Sequence, residues 1–302
     1  MLPALLTVVL WSLSVVCATR AARALGGGFA NRWRLVAAIA LLAGAVAAAG
    51  TLPHGQAFWW LLASGAVGLG LGDLAMYRGY ELVGSRLIAL LTQCLAAPIA
   101  GVLEWLWLGS HPGAGEIACG LVALVGVGLA LGPGARPAGA HGARLAIGVA
   151  MGVLSAAGLA VAGVLTRCAS ASGDGSGAVL HGFDGGLGAA FARNLGGAVA
   201  AFAGGWLLAL SVPRPATGRH ERRRGWWWLA CTAVCGPFLG VACYQWALIE
   251  APAATVQAIL ALVPVAVMPL AWWLEQDRPR PLAWVGAGVA VAGAAGVALS
   301  HR

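Results

Sequence analysis

The sequence predicts an all-α integral membrane protein of ten transmembrane helices arranged as two inverted five-helix repeats. Three observations lead there: a composition too apolar for water, ten apolar segments of spanning length, and a residue register that recurs across the chain. Of the 302 residues, 60% are hydrophobic and 9% charged, whereas a soluble domain carries about a quarter charged residues. A helix that crosses a bilayer needs about 20 mostly apolar residues. Cutting the chain at its charges, prolines and glycine-rich breaks gives segments at 2–19, 35–50, 57–80, 86–108, 116–132, 145–166, 188–212, 225–249, 253–274 and 281–299. The longest links, 167–187 and 213–224, leave no room for a soluble catalytic domain.

The first segment carries no charge and lacks a basic start, and Arg20 and Arg23 follow it rather than precede it. It therefore reads as a retained span, not a cleaved leader. Trp33, Trp59, Trp60, Trp226, Trp227, Trp228, Trp272, Trp273 and Trp284 cluster near segment ends, where amphipathic rings anchor at the headgroups. In the third segment Gly68, Gly70 and Gly72 precede Asp73, and in the sixth Gly148 and Gly152 allow close helix approach. In the fourth, Arg86, Gln93, Ala97 and Glu104 fall along one line at 100° per residue. Links after odd-numbered segments hold 15 of the 18 arginines, which by the positive-inside bias places those links in the cytoplasm and both termini outside.

Composition also excludes functions. There is no lysine, so all 18 basic residues are arginine. A phosphate-binding Walker loop and Schiff-base chemistry both need that amine. Seven cysteines, six of them in apolar runs, imply no disulfide framework. Cys231 and Cys235 lie one turn apart, but the six histidines are scattered, so neither a metal nor any other cofactor is expected. The Arg219–Arg224 run between two spans reads as a topology anchor, and no nucleic-acid partner is expected.

The repeat appears on comparing 91–109 with 257–275. At a constant offset of 166, Pro98 meets Pro264, Ala100 meets Ala266, Trp107 meets Trp273, Leu108 meets Leu274 and Gly120 meets Gly286. These positions fall in segments four and nine and at the start of five and ten, which points to duplicated units over 1–133 and 134–302. Five crossings is an odd number, so the second unit enters the bilayer from the opposite side. Inverted repeats of this kind place a solute site near the midplane between the halves.

Residues 68–109 (GLGLGDLAMYRGYELVGSRLIALLTQCLAAPIAGVLEWLWLG) and their second-half partner 235–275 resemble the EamA repeats of the drug/metabolite transporter superfamily. The tail DRPRPLAWVGAGVAVAGAAGVAL is similar to that family's last helix, and WSLSVVCATRAARALGGGFANRWRL to its first pair. The resemblance implies ten helices around a central cavity, no enzymatic activity, and carriage of small metabolites, amino acids or drugs, often outward across the plasma membrane. It also implies both termini inside, against the arginine count. The glutamate that usually follows the family's fourth helix is replaced by Ser110 or His111, while Glu275 stands in the matching second-half region.

Asp73 is the most pointed candidate. A charge at membrane depth costs several kcal/mol unless it faces a partner or a wet cavity, so the sequence offers it as a proton-coupling or solute-orienting group, or as a structural partner of Arg78 or Arg86. Tyr77 and Tyr80 share its face, and Gln93 and Glu104 lie on the polar line of segment four. Trp11, Ser12, Ser14, Tyr244, Gln245 and Gln257 complete a candidate cavity lining; each singly is equally an interhelical hydrogen-bonding group. Gly70-Leu71-Gly72-Asp73 also matches the GxGD pattern of intramembrane aspartyl proteases, which share a proton between two aspartates. Asp73 is the first aspartate in the chain, so the earlier partner that chemistry uses is missing. The expected partners are thus membrane lipids, a small solute and protons. Transport is the primary expectation, proton-independent exchange the alternative, and a non-transport membrane scaffold the alternative of another class.

Overall fold

The computed structural model describes residues 2–108, 113–131, 142–170, 172, 182–207, 218–250, 256, 259–275 and 281–300. Every regular element among them is helical: α1 (Leu2–Leu25), α2 (Gly27–Ala49), α3 (Gly55–Gly65), α4 (Asp73–Leu108), α5 (Ala114–Leu131), α6 (Gly142–Ser170), α7 (Gly182–Leu207), α8 (Arg219–Ala233), α9 (Leu239–Glu250), α10 (Val263–Glu275) and α11 (Pro281–Ser300). A π-helical turn over Ala66–Gly72 joins α3 to α4, and a second over Val234–Phe238 joins α8 to α9.

Among the described residues, five helices are long and apolar enough to cross a membrane: Leu2–Leu25, Gly27–Ala49, Gly55–Ala100, Gly142–Ser170 and Arg219–Glu250. Three shorter apolar helices, Ile117–Leu129, Val263–Leu274 and Pro281–Gly296, accompany them. The Gly55–Ala100 stretch has 46 residues. Straight, it would rise ~69 Å, more than twice a ~30 Å hydrocarbon core. It is not straight, because Gly84 has φ 82° and ψ 172°; only glycine takes such a φ without steric cost, and two helices meet there.

Small residues set the packing. A Cβ added to Gly148 would lie 3.0 Å from Val83 Cγ2, and one on Gly152 would lie 2.8 Å from Leu91 Cβ, so α6 presses directly onto α4. Gly126 on α5 meets Ala290 of α11, and Gly293 on α11 meets Ala123 of α5. Gly65 on α3 lies against the Arg193 carbonyl of α7, and Gly196 on α7 against the Leu62 carbonyl of α3. In lipid, where apolar side chains gain little by leaving one apolar environment for another, close backbone approach of this kind is a main source of helix association. The largest core cluster joins Tyr77, Tyr80, Leu87, Ile88 and Leu91 of α4 to Ala18 and Ala21 of α1 and to Ala287 and Ala290 of α11. Trp59, Trp227 and Trp273 instead stand exposed on the outer surface.

Two expectations about arginine change here. The second apolar segment was expected to start at 35, leaving Arg34 in a link, but α2 begins at Gly27 and Arg34 is buried inside it. Arg86 and Arg193 are likewise buried within α4 and α7. Buried helical arginines are not loop charges, so these three carry no weight in the positive-inside count.

Candidate functional site: a charged cavity between two π turns

A π turn inserts one extra residue into the helical ladder and leaves a backbone carbonyl without its usual donor. Such a carbonyl, buried, needs another partner. Asn31 on α2 donates from Nδ2 to the Leu69 carbonyl of the first turn at 3.5 Å. Asn194 on α7 donates from Nδ2 to the Pro237 carbonyl of the second at 2.9 Å. The two turns are thus tied in the same manner to α2 and α7.

The arginines repeat the arrangement. Arg34 on α2 places its guanidinium carbon 4.9 Å from the centre of the Tyr77 ring, and Arg193 on α7 places its own 5.9 Å from that of Tyr244. Each also faces the opposite turn. A Cβ on Gly236 would lie 3.5 Å from Arg34 Nη1, and a Cβ on Gly68 would lie 3.6 Å from Arg193 Nη2. A Cβ at either glycine would touch the guanidinium at ordinary contact distance and would clash instead with Ser14 Oγ at Gly236 and, at 2.8 Å, with Ala162 Cβ at Gly68.

Between these features lies a cavity of about 90 Å³, with room for several waters. Trp11, Ser14, Val15 and Ala18 line it from α1, Arg34 from α2, and Asp73, Met76, Tyr77, Tyr80, Thr92 and Gln93 from α4. Ser155 and Leu159 come from α6, Arg193 from α7, Gly236 and Pro237 from the second π turn, and Val241 and Tyr244 from α9. Trp11 and Tyr244 pack ring against ring at 5.1 Å. Across from them Ser14 Oγ and Thr232 Oγ1 share a hydrogen bond of 2.8 Å, and the Tyr77 hydroxyl reaches Thr232 Oγ1 at 3.4 Å.

Charge separates the two ends of the cavity. Arg34 donates from Nη2 to Asp73 Oδ2 in an ion pair, and from Nε and Nη2 to Asn31 Oδ1 at 3.1 and 3.0 Å. That end is electrically closed. Arg193, 3% exposed, donates from Nη1 to the neutral Gln245 Oε1 at 3.3 Å. Its Nε has no hydrogen-bond partner among the described residues, nor does Thr92 Oγ1 on the same cavity wall. Counting the lining side chains, two arginines face one carboxylate.

Of the residues predicted from sequence, Asp73, Tyr77, Gln93, Trp11, Ser14 and Tyr244 line this cavity. Gln245 stands behind it as the acceptor for Arg193, and Ser12 is turned back onto the Val8 carbonyl at 2.6 Å. The side chain of Glu104, and Gln257 altogether, lie outside the described residues. Asp73 pairs with Arg34, not with Arg78 or Arg86; Arg78 pairs with Glu81 at 2.6 Å. No second carboxylate lines the cavity among the described residues, and none of their His, Cys, Asp and Glu side chains gather in threes as a metal would need. Sequence reasoning missed Arg34, Arg193, Asn31 and Asn194. The available signal was the pairing of Arg with Asn in two apolar stretches, AFARNLGG and FANRWRLV.

Comparison with known proteins agrees with this architecture. The EamA-like transporter family matches residues 1–132 and 146–299. No curated protein matches. A solved crystal structure is similar over 99% of this chain and 96% of its own, with a TM-score of 0.64 at 20% identity, a likeness of fold.

Proposed function

Because this chain belongs to the EamA-like transporter family of the drug/metabolite transporter superfamily, and is therefore a multi-pass membrane transporter, we propose that it is a secondary exporter of a small organic solute across the cytoplasmic membrane. In this reading ten helices form two inverted halves, 1–133 and 134–302, and expose the cavity to one side of the bilayer at a time. The doubled contacts support the two halves: an asparagine on each π turn and an arginine on a tyrosine. The observation that carries the function is the cavity itself. Protein interiors are normally filled to crystal density, and charges at membrane depth persist where they serve a solute or ion path.

Asp73 supplies the coupling step. It is the one carboxylate on the cavity wall among the described residues, and a proton taken up there cancels its pairing with Arg34. Releasing that proton on the other side restores the pair and resets the site. The ion pair with Arg34 favours a second reading as well, in which Asp73 only braces α2 against α4 and transport is proton-independent exchange.

The test compares metabolites released by cells producing the wild type, Asp73→Asn or neither, with and without an uncoupler. Coupled export predicts a solute that accumulates outside only with wild type and only while the proton gradient holds. Equal release from wild type and Asp73→Asn, unaffected by the uncoupler, removes Asp73 from coupling and leaves exchange, which solute counterflow without a pH gradient then measures. No difference among the three strains, with both proteins confirmed in the membrane, overturns export.

A further inference from the structure

Arg193 is a buried cation that no carboxylate pairs with directly among the described residues; the acid that acts on it electrostatically, Asp73, is the one bound to Arg34. It lines the cavity, its Nη1 is met only by a neutral amide oxygen, and its Nε has no partner among the described residues. The single carboxylate on the wall among the described residues is already held by Arg34. The segment that carries the second π turn contains no acidic residue between Gly225 and Ile249. A guanidinium presents its donors as a planar fork that matches two carboxylate oxygens. Beside it stand the Tyr244 ring, packed on Trp11, and the unpartnered Thr92 hydroxyl.

We propose that the transported solute carries a carboxylate, which binds Arg193 and completes its charge while the rest of the molecule lies against Trp11 and Tyr244. The proposal rests on the transport reading above and specifies the solute class for the same cavity. It excludes a solute whose recognised group is an amine, because such a cation would meet a cavity that already holds an excess of positive charge. Gln245 has a part in this scheme: as a neutral acceptor it orients Arg193 without neutralising it. A glutamate of the same shape would fill the place kept for the solute.

The experiment uses the full-length protein in detergent and reads thermal unfolding. The probes are small aliphatic and aromatic monocarboxylates and α-amino acids, each tested beside its own primary amide. At least one carboxylate is expected to raise the midpoint while its amide does not. Arg193→Gln should weaken that response at least about thirtyfold, as loss of one partner in a buried charged pair does, and Arg193→Lys should keep part of it. Gln245→Glu is expected to unfold no earlier than wild type yet lose the carboxylate response, which covers the case in which Arg193→Gln does not fold.

An amide that stabilises as well as its acid, a Gln245→Glu protein that binds carboxylates like the wild type, or silence from every carboxylate overturns the inference. The metabolite-release comparison keeps the two failures apart. Cells that export only neutral or cationic solutes refute the carboxylate and leave transport standing, whereas cells that export nothing refute export itself.

Discussion

Around the turn at Ala66–Gly72, an asparagine from α2 holds a backbone carbonyl, an arginine stacks on Tyr77, and Asp73 closes the charge. Around the turn at Val234–Phe238, an asparagine from α7 holds a carbonyl and an arginine stacks on Tyr244, but neither the offset of 166 seen between 91–120 and 257–286 nor the 167 that separates Tyr77 from Tyr244 puts an acid opposite Asp73; the residues there are Leu239 and Gly240. The backbone devices are duplicated and the charge is not. Both turns keep their tie to a neighbouring helix. A carboxylate stands beside the first turn and, among the described residues, none lines the cavity beside the second. The difference divides the site into an end that the protein satisfies and an end left for something else.

The largest effect should come from breaking the satisfied end. Asp73→Ala leaves Arg34, 4% exposed, as a buried charge without its carboxylate, a change that costs about 3–5 kcal/mol in buried pairs. The unfolding midpoint of the purified protein should fall accordingly, and Arg34→Gln with Asp73→Asn together should recover most of the loss. A single substitution that costs under about 1 kcal/mol would mean that Asp73 is not what compensates Arg34, and the contrast between the two ends of the cavity would collapse.

A smaller effect tests the duplicated part. Asn31→Ala and Asn194→Ala each remove a side-chain donor from a turn carbonyl, a hydrogen bond worth about 0.5–1.5 kcal/mol. Asn194 makes the shorter bond to its turn, 2.9 Å against 3.5 Å, whereas Asn31 also accepts two bonds from Arg34. Asn194→Ala should therefore act on stability alone, and Asn31→Ala should in addition couple to Asp73→Asn in a double-mutant cycle. Equal coupling of both asparagines to Asp73 would show that the charge network spans both turns.

The sequence displayed the helical membrane architecture because lipid forces a long apolar run for each crossing, and such runs survive inspection residue by residue. Asp73 was legible for the same reason: a lone acid in an apolar run is conspicuous. Arg34 and Arg193 were not. An arginine near the end of an apolar segment resembles an interfacial anchor, and only the true start of α2 at Gly27 shows that Arg34 lies inside. The π turns were hidden too, since Gly68, Gly70 and Gly72 read equally well as close helix packing, and in part they are that: a Cβ on Gly70 would lie 3.0 Å from the Gly197 carbonyl. Which polar residues share one cavity depends on how at least six helices pack together, and helical periodicity within each segment carries no such information.

The smallest effect compares the two tyrosines. Tyr77→Phe and Tyr244→Phe keep the ring and therefore the contact with each arginine, so neither should shift the unfolding midpoint by more than the equivalent of about 1 kcal/mol. The Tyr77 hydroxyl meets Thr232 Oγ1 at 3.4 Å, a long hydrogen bond whose loss is a light structural change in the resting protein. Ring removal separates the two ends of the cavity more clearly. Tyr77→Leu exposes a guanidinium that Asp73 still neutralises, while Tyr244→Leu takes away the face over which Arg193 is held and the wall against which a bound solute lies. Measured solute affinity should then fall further for Tyr244→Leu than for Tyr77→Leu even where their unfolding midpoints agree. The reverse order would assign the solute to the Arg34 end and make Arg193 the structural cation.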